Sequence, residues 1–573
     1  MNLSPIDAAI VIAYLLLVFG VGAYMERRAG KDVESYFLGG RTMPWWLLGM
    51  SGSSTFFDIT GTMWMVSVFY VLGMRGLWEH WLWCFPFAGF VLAYKAKWCY
   101  RSGVLTGIEW LIFRFGDGAA GRAARLITVA IALLHTTLML GYAGTGVGKF
   151  LSEFLPWDSQ VTVPLLFAFT GLYVILGGFF SVVFSDFFQT ILLSVAAIYI
   201  AVIAFLKIDP QAFQATVGAD WYSLAPVWKF DPAPENYPDP FGLLLMMWVT
   251  KGVIGLLTLG NSVEFQRFRA ARTEAEASKV GLAWGTVISV RWGLVMGFTA
   301  FGLSILAGEG GALDSESVLP MVINRVLPVG IKGIVIAGLL AAFMSTFDSS
   351  LNVAASFVVN DLVNPIWKRA TQRQLIYVSY GATVLILVVG IAISYYTERI
   401  AAIWNFINFA VGSALLIPAL LAPYWWRIGG WVYFGGAVCT LPITFCVWKW
   451  TDWRELQYFP ILAGVNLVSS LAFAYLCPPA PMEALKNYYR KVRPFGLWGP
   501  VRRALAQEGE DPGRPARDRY DFPIALVGTL FFIFIYILAM DIVLHNWGRA
   551  LWLALGSGIL GVVLYFGWWR RLE

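Results

Sequence analysis

Residues 341–357 read AAFMSTFDSSLNVAASF. On a helix, positions three and four apart share a face, so Ser345, Asp348, Ser349 and Asn352 form one polar stripe with Thr346 beside it. The stripe offers hydroxyl and carboxylate oxygens, the donor class that suits a hard cation such as sodium. It lies inside an apolar run that begins near Ile331 and is long enough to cross a bilayer. A carboxylate at the bilayer centre costs at least about 2.5 kcal/mol, so Asp348 calls for a partner, and a cation or a proton is the simplest. The alternative is a helix–helix contact in which small hydroxyl residues permit close packing.

Three other acids fall within apolar segments. Asp58 lies in a polar break, STFFDITG; Asp186 begins a segment in VVFSDFFQT; Glu79 stands next to His80 in GLWEHWLW. Asp186 is equally readable as a solvated helix N-cap, and Glu79 as an interfacial residue among tryptophans. The in-span bases are Lys251 and Arg291, and each either contacts a solute or neutralises one of these acids. His135 reads as a hydrogen-bonded core residue, and Asp541 has no evident role.

Helices that cross a membrane must position these groups. The chain has 573 residues, 58% hydrophobic and 13% charged, with a mean hydropathy of +0.67, whereas soluble domains are about a quarter charged. With about 20 apolar residues per crossing, roughly fifteen spans are expected. Basic residues cluster in alternate loops (ERRAGK, KAKWCYR, RFGDGAAGRAAR, QRFRAAR, WKRATQRQ and the 480–520 segment), and the loops between are acidic or neutral. The positive-inside rule then predicts an extracytoplasmic N-terminus and a cytoplasmic C-terminus. This alternation, rather than a nucleic-acid partner, accounts for the net charge of +6. The first apolar segment has its arginines after it, the reverse of a secretory signal, and reads as a retained helix. The five cysteines show no metal or disulfide spacing and read as buried apolar residues.

Spans centred near 57, 86, 135, 170 and 194 precede a polar loop, and five more are centred near 251, 291, 344, 384 and 411. The two sets begin on opposite sides of the membrane, the layout of an inverted-topology repeat. The expected organisation is an N-terminal helix and loop (1–43), repeat one (44–206), an extracytoplasmic loop (207–240), repeat two (241–425), two further helices (426–478), a basic cytoplasmic linker or interfacial segment (479–520) and two terminal helices (521–573). In such folds a pair of glycine-interrupted segments at matching positions points to the binding site. LLGMSGSSTFFDITGTMWMVS and LLLMMWVTKGVIGLLTLGNSV are such a pair, and unwound backbone at that depth must be buried in protein or line a watery cavity.

Four stretches together resemble the sodium:solute symporter family, which includes the sodium-glucose cotransporters. They are Ala342-x-x-Ser345-Thr346 with Asn352 and Asn360-Asp361; YFLGGRTMPWW before the first broken helix; Asn261 followed by Gln266-Arg267 after the second; and SDFFQ. They occur in the family's order and spacing, and the resemblance covers roughly residues 5–475. It implies an all-α polytopic membrane protein of LeuT type, a 5+5 inverted repeat with one N-terminal and about four C-terminal additional helices, working by alternating access. Carried over residue by residue, it implies a sodium site made of the carbonyls of Phe56, Ile59 and Ala342 with the hydroxyls of Ser345 and Thr346, and Asp58 beside it. A second sodium site, present in some members, would comprise Asp186, Ser345, Asp348 and Ser349. Asp348 stands where the family usually has a small residue, so the coupling ions number one or two Na+, or include a proton.

For the solute, the resemblance points to Glu79, Asn261 and Asn408 as counterparts of a sugar-binding pocket, with His80, Lys251 and Arg291 as further candidates. Carboxylate and amide groups that bind several hydroxyls favour a sugar or related polyhydroxyl compound. Lys251 or Arg291 holding a substrate carboxylate would instead indicate an organic acid or amino acid. The expected setting is a plasma membrane, a bacterial inner membrane, with lipid and a small solute as partners and no obligate protein partner. The three histidines are far apart and no phosphate loop or nucleophile elbow occurs, which argues against an enzyme. A solute sensor would need an appended signalling domain; an uncoupled uniporter or channel of the same fold would fail to accumulate solute.

Overall fold

The computed structural model describes residues 3–29, 42–80, 87–104, 106–232, 241–259, 263–306, 314–397, 399–510, 513, 515 and 518–572. Among these, α-helix dominates and the only β-type pairings are two isolated bridges. Among the described residues ten helices are long and apolar enough to cross a membrane, eleven if one bent pair counts as a span, with three shorter apolar helices beside them. Of the expected span near residue 86, residues 81–86 lie outside the described set, and the described part includes a π-helical turn, Val91–Lys95.

In chain order the elements that matter are α1 (Pro5–Ala29), α2 (Trp45–Thr55), α3 (Ile59–Leu72), α4 (Ala96–Ser102), α5 (Ala119–Ser152), α6 (Ser159–Lys207), α7 (Phe241–Leu257), α8 (Val263–Ala270), α9 (Glu274–Val287) and α10 (Val290–Leu306). They are followed by α11 (Ile331–Ser356), α12 (Gln372–Tyr395), α13 (Ile400–Asn405), α14 (Gly430–Trp450), α15 (Glu455–Leu476), α16 (Met482–Val492), α17 (Gly499–Gln507), α18 (Asp521–Val543) and α19 (Trp547–Leu564). The two spans expected near 170 and 194 are apolar stretches of one assigned helix, α6, at Ser159–Ile175 and Ser181–Lys207.

Both segments marked by glycine and polar residues are interrupted. Helices α2 and α3 meet at 59° across residues 56–58, and α7 ends at Leu257 before α8 resumes at Val263. Helix α11 is the buried axis: 22 of its 26 residues are shielded. Its N-terminus is capped from a distance. Asp7 of α1 accepts from the backbone N–H of Gly330 (2.8 Å) and Gly333 (2.7 Å), satisfying donors that a helix start leaves orphaned and placing negative charge at the positive end of the dipole.

The C-terminal part is firmly docked. A Cβ on Gly528 of α18 would stand 3.0 Å from the Cα of Gly89, the close backbone approach that small residues allow between membrane helices. Asp541 is held bidentately by Arg549 at 2.6 and 2.5 Å, which supplies the role the sequence left open. The segment expected as a linker contains α16 and α17, and Arg114 from the body lies over Tyr488 (5.2 Å) and Trp498 (4.6 Å). Asp518 pairs with Lys97 (3.3 Å) and Arg101 (2.7 Å), and Lys97 also reaches Asp521 (2.5 Å). The cysteines differ from expectation: Cys99 is buried, but Cys439 and Cys446 are exposed on α14.

Candidate functional site

The break between α2 and α3 is stabilised from both of its ends. Asp58 N-caps α3, its carboxylate accepting from the Gly61 N–H at 3.1 Å. Arg291, at the start of α10 and almost wholly buried, donates to the Phe56 carbonyl (2.6 Å), the Asp58 carbonyl (3.3 Å), the Asp58 carboxylate (3.1 Å) and Thr62 Oγ1 (3.2 Å). A side chain at Gly61 would run into the Asp58 carboxylate. The carbonyls freed by unwinding are thus answered by a guanidinium, which presents its donors in a rigid fork. Of the two roles read for Arg291, neutralising an in-span acid is the one this geometry carries.

The last turn of α2 is laced to α11 by hydroxyls. Thr346 Oγ1 donates to the Thr55 carbonyl at 2.6 Å and, on its own helix, to the Ala342 carbonyl at 3.2 Å. Ser345 Oγ meets Ser54 Oγ at 2.8 Å and also hydrogen-bonds the Asp186 carboxylate. Ser349 Oγ meets Thr55 Oγ1 at 3.0 Å. Of the five residues expected around one sodium, Ala342 and Thr346 therefore converge beside the break, Ile59 is buried at the start of α3, the Phe56 carbonyl accepts from Arg291, and the Ser345 hydroxyl points to Asp186.

Two of the four residues expected to form a second sodium site, Asp186 and Ser349, contact a positive charge that belongs to the protein. Arg267 of α8 donates to Ser51 Oγ (2.8 Å), Thr55 Oγ1 (2.7 Å), Ser349 Oγ (2.9 Å) and Asp186 Oδ2 (3.2 Å). Both Arg267 and Asp186 are fully buried, and Asp186 lies within a continuous helix, so it is not a solvated N-cap. Asp348 faces the other way: Tyr173 donates to it at 2.5 Å and Ser349 at 3.4 Å. The arginine in Gln266-Arg267 counted only as part of a motif in a basic loop. What marks it is its position directly after the second broken helix.

Below the break lies a cavity of about 450 Å³, lined by Phe56, Asp58, Trp64, His135, Tyr142, Lys251, Arg291, Thr346, Trp404 and Asn408 among others. One end is walled by aromatic rings: Trp64 sits 6.0 Å from Trp404 and 6.2 Å from Trp248, and Tyr142 lies 5.1 Å from Trp404. Asn408 occupies a π-helical turn, Phe406–Ala410, and its Nδ2 donates to the Trp404 carbonyl at 3.0 Å; π-turns inside helices recur at functional sites. His135 is a cavity residue rather than a core one. Glu79 is 4% exposed but does not line the cavity; the helix that carries it ends at His80, whose side chain lies outside the description, and Asn261 lies among the residues not described.

Comparison with known proteins places this arrangement in context. The sequence model of the sodium:solute symporter family matches residues 36–432. A zebrafish protein named sodium/glucose cotransporter 4 is 26% identical over 498 residues, covering 77% of this chain and 71% of that protein. A mouse sodium/myo-inositol cotransporter is 26% identical over 68% of this chain, and the chain spans 58% of its length. The high-affinity proline transporter PutP of Bacillus subtilis is 22% identical over 83% of this chain and 98% of its own. Among solved structures, a substrate-bound outward-open Na+-coupled sialic acid symporter superposes with a TM-score of 0.68 at 18% identity, covering 83% of this chain and 99% of that one. The likeness to that structure shows a shared all-α polytopic fold.

Proposed function

The chain belongs to the sodium:solute symporter family, and from that premise we propose that it carries a small organic solute across the membrane by alternating access, with one Na+ bound between the α2–α3 break and α11 as the driving ion. Membership places it among transporters rather than enzymes. The observation that carries the proposal is Thr346, whose hydroxyl stands between the Thr55 carbonyl at the break and the Ala342 carbonyl of α11. Ala342 and Thr346 supply two oxygens, and Ile59, Phe56 and Ser345 complete the set when the break and α11 adjust. Asp58 supports the ion site indirectly, by capping α3 and holding Arg291.

Arg267 supports a stoichiometry of one. Asp186, Ser345 and Ser349 already satisfy a guanidinium or each other, so a second Na+ entering there would have to displace a fixed charge of equal sign. Asp348, bonded to Tyr173, belongs to the packing of α11 against α6.

The solute occupies the 450 Å³ cavity, whose size is ordinary for small-ligand sites. The polyhydroxyl reading keeps Asn408 as a contact and loses Glu79. The alternation of basic loops supports a cytoplasmic C-terminus in a plasma membrane. Proteoliposomes test the reading directly: a solute drawn from sugars, polyols, organic acids and amino acids should accumulate under an inward Na+ gradient and not under an equal K+ gradient. Accumulation driven equally well by a proton gradient without Na+ would refute the ion assignment.

A further inference from the structure

We infer that the solute is an organic monocarboxylate, held through its carboxylate by Lys251. The inference rests on the transporter reading and sharpens it at one site.

Lys251 is a cavity residue on α7, the first half of the second broken helix. Its Nζ lies over Gly412, and a Cβ at that glycine would stand 2.7 Å from it; the absence of a side chain leaves room for the ammonium beside the irregular Phe406–Leu415 stretch. Among the described residues no carboxylate is within ion-pair distance of it, and the charged or titratable group that faces it is His135 of α5. An ammonium in a low-dielectric wall demands an anion, and among the described residues none is supplied.

The remaining charges narrow the anion further. Asp58 is the one carboxylate among the described cavity residues, and it is spent on Arg291. The carbonyls at the α2–α3 break, the other means of holding a primary amine, accept from the same guanidinium. Among the described cavity residues no acidic group is left for an amino substituent, so an acid without a free amine fits better than an amino acid. The wall also carries hydroxyl and amide groups, Tyr142 and Asn408 among them, and a second ammonium, Lys95, but Phe56, Trp64, Phe87, Met139 and Trp404 give it broad apolar faces, which suit an apolar or aromatic body. Na+ and a monocarboxylate then enter as a neutral pair, which lowers the expense of carrying either through the low-dielectric interior.

The test is thermal stability of the purified full chain in detergent with a panel of monocarboxylates (hexanoate, benzoate, phenylacetate, hydroxyphenylacetate), each against its primary amide and against glucose, myo-inositol and proline, in NaCl and in KCl. A ligand that binds the native state raises Tm by mass action. At least one carboxylate should raise Tm in NaCl where its amide does not. Lys251→Gln should weaken that ligand by about 10- to 100-fold, the worth of a charge-assisted bond, and Lys251→Arg should keep part of it. The acid–amide comparison needs only the native chain, so it decides even if a variant fails to fold. A shift of equal size in KCl would uphold the anion assignment and refute sodium coupling. No carboxylate exceeding its amide, or Lys251→Gln binding as well as the native chain, overturns the inference, and a neutral polyol or proline that stabilises only in NaCl would do so while leaving sodium coupling intact.

Discussion

Arg267 and Asp186 meet at 3.2 Å with both side chains fully shielded from solvent. The pair joins α8, just past the second broken helix, to α6, and through Ser51, Thr55 and Ser349 it reaches α2 and α11 as well. Four elements of the transport core thus share one ion pair.

Removing one partner of a buried pair leaves the other charged and unanswered. Arg267→Gln should destabilise the protein by about 3–5 kcal/mol, seen as a lower Tm. The double variant Arg267→Gln/Asp186→Asn should recover most of that loss. A double variant no more stable than the single one would show that the hydroxyl contacts, and not the charges, hold this node.

Thr346→Ala removes one proposed sodium ligand and the bond to the Thr55 carbonyl. The Na+ concentration for half-maximal stabilisation or uptake should rise by about tenfold, the scale of one bond to a charged group, while Thr346→Ser should stay near the native value. Unchanged sodium dependence in Thr346→Ala would remove this residue from the site.

Arg291→Ala should take the guanidinium donor from the Phe56 carbonyl and the charge partner from the buried Asp58 carboxylate, which keeps only its neutral donors such as the Gly61 N–H. At about 1–3 kcal/mol for a neutral buried group and more for a charged one, a drop in stability of at least about 3 kcal/mol is expected. Asp58→Asn should be milder, because the carbonyl contacts survive. Denaturation of the two variants side by side checks the order.

The docked C-terminal segment predicts a pH dependence. Burial pushes the Asp518 carboxyl up, but the bonds from Arg101 and the charge of Lys97 outweigh it and hold it below the usual aspartate value. A group depressed in the folded state stabilises above its unfolded pKa, near 3.9, and that contribution is lost as pH falls through the folded value. Asp518→Asn should therefore lower Tm near neutrality and flatten part of the fall in acid. Parallel melting curves from pH 7 to pH 3 for both proteins would contradict this.

Much of the core was legible because membrane helices state their exceptions openly. Glycine and polar residues in the 45–70 and 241–262 segments announced unwound backbone, and both segments are interrupted. The stripe on α11 was visible from i, i+3, i+4 spacing. The role of Arg267 was not, since a basic run near a membrane boundary reads as solvated charge, and nothing local says which member turns inward. Glu79 is a related case: its place on the second core helix matches a sugar-binding glutamate, whereas it does not line the cavity, and facing is set by helix rotation, which one residue does not reveal. The 479–520 segment reads as a linker or interfacial segment from its prolines and charges, and Leu485, Tyr488, Tyr489 and Val492 mark the one apolar face at helical spacing that docks it.

Asp7 joins α1 to the start of α11, and farther along Tyr14 accepts from Gln189 of α6 at 3.1 Å and donates to the Met344 sulfur of α11 at 3.4 Å. The N-terminal helix is therefore fastened at two depths to the same body and acts as an outrigger of it. A fluorophore placed on the lipid-facing side of α1, at Leu16 for example, would ride with α11 and α6, so its distance to a second dye on α14 would read out the relative movement of the two halves of the machine without touching the ion or solute sites.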